Sequence, residues 1–203
     1  MIRLYTWSTP SGVKVSIALE ELGLDYEVIP IDITRDEQFA PEFLEISPNN
    51  KIPAIVDDDF LDDDLSLFDS GAILLYLAHK TGKLAPPGDS PGYFRMMQWL
   101  MWQEAHFSPT LGQTLHFLKF NPGKSVYAEK RFYQEALRLY RVLDSRLEGR
   151  DCIADEFSIV DIATWPWVSR FEFQQIDLHD FPEVMRWYLA LADRPAFQRG
   201  YKV

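Results

Sequence analysis

An α/β domain followed by an all-helical one is the fold class this sequence predicts, and three observations predict it. Residues 1–80 alternate strand-like and helix-like patterns, a Pro- and Gly-rich stretch then interrupts all periodicity, and beyond it only helical spacing recurs. At 203 residues, 47% hydrophobic and 25% charged, the chain can bury a sizeable core in one large domain or two small ones.

The elements follow in order. IRLYTW (Ile2 to Trp7) alternates and is rich in β-formers, so it predicts a strand. A helical pattern runs from Val13 to Leu24, Gly23 breaks it, and DYEVIPIDI (Asp25 to Ile33) predicts a second strand, which completes a βαβ unit. A short helix over Pro41 to Ile46 leads to a strand at Ala54 to Val56. After an acidic turn, Leu65 to Phe68 predicts its hairpin partner, and a helix continues from Asp69 through Lys80. TGKLAPPGDSPG (Thr81 to Gly92) reads as a linker. Helices are expected over Tyr93 to Phe107, Ser125 to Leu147, Ser158 to Phe173 and Pro182 to Ala192. The expected division is therefore residues 1–80, a linker over 81–92, and a helical domain over 93–203, with no internal repeat.

Charge and composition exclude several functions. A net charge of −11 repels a phosphate backbone, so nucleic acid is not an expected partner. The longest apolar runs, such as AILLYLA (Ala72 to Ala78), fall short of the roughly 20 residues a bilayer span needs. MIRLYTW carries no h-region and no small-residue cleavage site, which predicts a cytoplasmic protein without a membrane partner. Cys152 stands alone, so there is no disulfide framework, and its neighbour Ile153 predicts a buried structural thiol. His79, His106, His116 and His179 show no metal-binding spacing, and no metal is expected. The run DDDFLDDD (Asp57 to Asp64) lacks the alternation and the Gly of a calcium loop and predicts a solvated hairpin tip.

STPSGVKVSIALEELGL (Ser8 to Leu24) sets hydroxyls, Pro and Gly directly before a helix. The first turn of a helix leaves amides unpaired and carries the positive end of the dipole, so such a turn suits an anion. Taken alone, the stretch reads first as simple capping, since most helices begin with such a residue. Farther on, Ser158-Ile-Val-Asp161 is a capping box with Phe157 ahead of it and Ile162 behind, a structural signature.

Three segments then carry a resemblance: SPNNKIPAIVD (Ser47 to Asp57), SLFDSGAILLYLA (Ser66 to Ala78) and FSIVDIATWPWV (Phe157 to Val168). In order and spacing they resemble the cytosolic glutathione transferases over nearly the whole chain. TPSGVKVSIALEE, NNKIPAI, GQTLHF (Gly112 to Phe117) and ATWPWV further resemble the bacterial nu-class branch, which is similar to glutathione-dependent disulfide-bond oxidoreductases. That branch usually reads T-P-N-G in its first motif, whereas this chain reads Thr9-Pro10-Ser11-Gly12. Serine keeps a donor but loses the reach of an amide.

The resemblance implies a thioredoxin-like first domain, a homodimer, and glutathione as co-substrate. It implies a cis Ile52-Pro53 bond within Asn50, Lys51, Ile52 and Pro53, where an exposed strand edge can pair with the cysteinyl unit of glutathione. Ser70, with the first amides of its helix, is expected to take the γ-glutamyl carboxylate while Asp69 faces the ammonium. Lys51 and Gln38 are placed at the glycyl carboxylate, and Arg131 at a second glutathione. The sulfur then falls to Thr9, Ser11 and the Gly12 amide as catalytic donors. A free thiol is only about 3% ionised at pH 7, and lowering its pKa by about two units amounts to about 2.7 kcal/mol. Two or three hydrogen bonds to a charged acceptor plus the helix dipole are of that order. The implied reaction is disulfide reduction. The alternatives are conjugation of glutathione to small hydrophobic electrophiles, in the manner of detoxification enzymes, and a non-catalytic binding module.

Overall fold

Alternation at Ile2, Leu4 and Thr6 buries one face of the first strand, and the chain builds a sheet around it. The computed structural model describes residues 1–60 and 63–203. Strand β1 (Ile2–Thr6) runs parallel to β2 (Tyr26–Pro30) and antiparallel to β3 (Ala54–Phe60), and β3 pairs with β4 (Asp63–Phe68). The order β2-β1-β3-β4 makes a mixed four-stranded sheet. The crossover from β1 to β2 is helix α1 (Pro10–Leu22), with Pro10 in its first turn, and Gly23 ends it at φ +66° in the left-handed region. Helix α2 (Pro41–Ile46) buries Phe43, and α3 (Ser70–Thr81) follows β4. Every residue of α1 from Gly12 to Leu19 is buried, as expected of a helix covered on all sides.

By their contacts the residues form two units, Met1–Lys83 with Arg194–Val203, and Leu84–Asp193. The last ten residues thus join the first unit, although the sequence groups them with the helical region. Their helix, α9 (Pro195–Gly200), lies on α1 so closely that a Cβ on Gly200 would sit 2.6 Å from the Ile17 nitrogen. Ser16 Oγ donates to the Gly200 carbonyl at 2.6 Å, and Arg194 grips Glu21 through two bonds of 2.7 and 2.8 Å.

The second unit is helical among its described residues: α4 (Pro91–Trp102), α5 (Ser108–Leu115), α6 (Val126–Leu147), α7 (Ile159–Val168) and α8 (Pro182–Ala192). Wider turns at Gln103–Phe107 and His116–Phe120 join α4 to α5 and extend α5, so helix continues where the sequence predicts a stop at Phe107. Pro109 cannot supply an amide, and the wide turn before it absorbs that loss without breaking the axis. α7 is shorter than expected, ending at Val168 two residues after Pro166, and Gln174 donates to the Trp167 carbonyl at 2.8 Å across the break. Burial of α6 at Ala136, Leu139, Tyr140, Leu143 and Leu147 follows one stripe. No helix among the described residues is long and apolar enough to cross a membrane.

Two further expectations, about single residues, are corrected by the structure. Asp57 is fully buried rather than part of a solvated tip, because it lies in β3 and accepts from Tyr76 at 2.5 Å while Lys80 pairs with it at 2.9 Å. Burial opposes its charge, but these partners outweigh burial and hold the carboxyl below its ordinary value. Asp58, Asp59 and Asp64 are exposed; Leu61 and Asp62 of that run lie outside the described residues. Cys152 is half-buried rather than buried, sitting in an irregular stretch before α7.

Candidate functional site

Two helix N-termini of the first unit carry Thr9 and Ser11, and Asp69 and Ser70, among the residues singled out by sequence. Ahead of α1, Thr9 is extended (φ −124°, ψ 159°) and its Oγ1 accepts from the Gly12 amide at 3.2 Å. The Gly12 amide, expected to face a sulfur, is therefore taken by the cap. The same bond orients Thr9: with its acceptor side engaged, its hydroxyl proton is left to donate elsewhere. Ser11 Oγ makes no hydrogen bond among the described residues. Glycine is required beside them, since a Cβ on Gly12 would come within 2.3 Å of Thr6 Oγ1 and 2.5 Å of the Trp7 carbonyl oxygen.

At α3, Asp69 stands at φ +74°, ψ 119°, a left-handed conformation rarely held outside glycine. Its Oδ1 accepts from Gly71 at 3.1 Å and Ala72 at 3.3 Å. These are two of the first-turn amides expected to meet a ligand carboxylate, and the nearer carboxylate of Asp69 has taken them. Of the groups singled out there, the Ser70 hydroxyl and its own amide are not taken by Asp69. Lys14, fully buried on α1, donates from Nζ to Ser70 Oγ at 3.2 Å and so ties α1 to the start of α3, against which it packs. Sequence reasoning passed over Lys14; its one signal was a basic residue inside the mostly apolar run VKVSIAL.

The third part is the bend before β3. The Ile52-Pro53 peptide is cis, as the resemblance implies. Asn50, at φ +48°, donates from its amide to the Ser47 carbonyl at 2.9 Å, and buried Ser47 Oγ donates to the Lys51 carbonyl at 2.8 Å. Ile52 precedes the first ladder residue, Ala54, and its N–H and C=O have no partner among the described residues. An extended peptide can pair there. The Lys51 side chain is exposed. Gln38, in the 3-10 turn Glu37–Phe39, buries Oε1 without a partner, and turning its amide over presents the NH2 end in the same place.

Arg131 belongs to the second unit. It is exposed on α6 and lines a groove of about 680 Å³ with Lys130, Arg138, Glu135 and Tyr127. His116 is exposed in the same unit, next to Asn121.

A thioredoxin-like sheet unit with a cis-proline bend and two capped helix N-termini, continued by a helical unit, is the arrangement of glutathione transferases, and the chain belongs to the glutathione S-transferase family. Residues 1–79 match the family described as Glutathione S-transferase, N-terminal domain, and residues 126–190 that described as Glutathione S-transferase, C-terminal domain. Disulfide-bond oxidoreductase YfcG of Escherichia coli (strain K12) is 48% identical over 97% of this chain and 92% of its own. Among solved structures, a glutathione transferase from Pseudomonas putida, with one glutathione disulfide bound per subunit, superposes with a TM-score of 0.94 at 42% identity, covering 100% of this chain and 91% of that one. A family member from Pseudomonas fluorescens Pf-5, with two glutathiones bound, gives 0.94 at 42% identity over 98% and 92%.

Proposed function

We propose that the protein is a glutathione-dependent disulfide-bond reductase of the nu-class kind. The observation that carries this reading is the pair of hydroxyls at the start of α1. Thr9 has its acceptor side filled and its proton free to donate, Ser11 is unengaged, and the first unit contains no cysteine. The reacting sulfur must then arrive with the ligand. The Escherichia coli relative, a disulfide-bond oxidoreductase, and the glutathione disulfide in the Pseudomonas putida structure support the same chemistry.

Glutathione lies with its γ-glutamyl carboxylate on Ser70, its ammonium toward Asp69, its cysteinyl backbone on Ile52 beside Pro53 and Asn50, and its glycyl end near Lys51 and Gln38. The thiolate, held by Thr9 and Ser11, attacks one sulfur of the substrate, releasing one substrate thiolate and forming a mixed disulfide. A second glutathione thiolate attacks the glutathione sulfur of that mixed disulfide, freeing the other substrate thiol and leaving glutathione disulfide. Two glutathiones supply the two electrons. Arg131, with Lys130 and Arg138 around it, is assigned to the carboxylate of a second glutathione.

The protein is further proposed to work as a homodimer, supported by large apolar side chains left exposed on α4 and α6: Phe94 at 64%, Val126 at 75% and Tyr127 at 76%. A reaction that consumes reduced glutathione suits a reducing compartment such as the cytoplasm. The test is the glutathione-dependent reduction rate of a small model disulfide, measured beside conjugation of an aryl halide at equal protein concentration. Fast reduction with negligible conjugation is expected. Conjugation alone would make the chain a conjugating transferase, and silence in both would make it a binding module.

A further inference from the structure

Lys14 is a fully buried lysine whose Nζ donates to the Ser70 hydroxyl at 3.2 Å. An ammonium has three donors and no acceptor, whereas a hydroxyl has one proton and two lone pairs. A bond between them can run only from Lys14 to Ser70, so the Ser70 proton must point away from Lys14. Placing a charge inside a protein is costly, and such groups persist where their field or their bond is used.

We propose that Lys14 is a positioning residue for the γ-glutamyl carboxylate of glutathione: it fills the acceptor side of Ser70, turns the hydroxyl proton toward the ligand, and adds a positive charge behind it. This rests on the reading that Ser70 holds that carboxylate. Thr9 is oriented in the same way by the Gly12 amide, so both hydroxyls of the site become donors because an N–H occupies their acceptor side. Their difference is charge. Ser70 is backed by a full cation and is matched to a permanent carboxylate, while Thr9 is backed by a neutral amide and a helix dipole.

The test compares the dissociation constants of glutathione and of its analogue lacking the γ-glutamyl carboxylate, 4-aminobutyryl-cysteinyl-glycine, by calorimetry on the full chain. Lys14→Met should weaken glutathione about tenfold or more, the loss of one charge-assisted hydrogen bond, and leave the analogue within about twofold. Lys14→Arg should recover part of the loss, and Lys14→Met should cost less in a Ser70→Ala background than in the native chain, because only the effect of the charge itself is then left to lose. Equal weakening of both ligands, or additive losses in the double variant, would overturn the role of Lys14. A Ser70→Ala protein that binds glutathione normally would instead overturn the placement of the carboxylate, a separate failure. Should Lys14→Met not fold, the ammonium nitrogen resonance of Lys14 in the unaltered protein serves: it should shift with glutathione and stay put with the analogue, and the same shift with both would contradict the proposal.

Discussion

Gly12 is the residue on which the geometry of the α1 terminus turns. Adding one methyl group there drives it against the Trp7 carbonyl oxygen and Thr6 Oγ1, and the first of these is backbone that cannot swing aside. Gly12→Ala is therefore expected to cost about 1–3 kcal/mol of stability, read from the denaturation midpoint, and to lower turnover further by displacing Thr9. A variant as stable and as active as the native chain would show that the turn can relax. At this scale the two helix starts and the bend at Pro53 were legible in sequence, because Thr9 and Asp69 cap helices as such residues do and the resemblance implied the cis peptide. What was not legible is which groups those motifs use up internally. The amides of Gly12, Gly71 and Ala72 are spent on caps, and only three-dimensional placement shows it. Lys14 and Asp57 look like surface charges in sequence and are buried because partners on α3 reach them.

Helix α7 shows how one carboxylate can organise an element. Asp161 accepts from the Ser158 amide at 3.1 Å, the Ile153 amide at 3.0 Å and Trp187 Nε1 at 2.9 Å, so the capping box seen in sequence also fastens the loop before it and α8. Burial dominates these bonds and pushes its carboxyl up to about 6. An unfolded Asp titrates near 3.9, so the folded chain binds this proton more tightly. The group's contribution is then fully present below about pH 4 and is lost as pH rises through about 6. From pH 7 to pH 5 the native chain should gain about 1 kcal/mol relative to an Asp161→Asn variant measured by the same denaturation series; parallel pH profiles would contradict the assignment. The helix boundaries missed in sequence, at Phe107 and after Val168, both involve proline. Pro109 falls in the first turn of α5, directly after the wide turn, and the helical path continues, whereas Pro166 lies inside α7 and the helix ends two residues later, where Gln174 bonds the Trp167 carbonyl.

For the whole molecule, the alternation of patterns before Lys80 and their uniformity after Gly92 conveyed an α/β unit and a helical one, with a βαβ crossover and a hairpin, whereas the antiparallel pairing of β1 with β3 that joins the two was not read there. The return of Arg194–Val203 to the first unit was not legible, since it depends on Arg194 meeting Glu21 and Gly200 meeting Ile17 from the far end of the chain. The chemistry proposed for this fold reduces to the ionisation of one sulfur held at the start of α1. The measurement that tests it most directly is the ultraviolet titration of the bound glutathione thiolate, in the native chain and in the Thr9→Ala, Ser11→Ala double variant. Bound glutathione should ionise about two units below the ordinary thiol value of about 8.5 in the native chain and move back toward it in the variant. A bound thiol that titrates like the free one, or a shift that survives loss of both hydroxyls, would contradict the role given to Thr9 and Ser11.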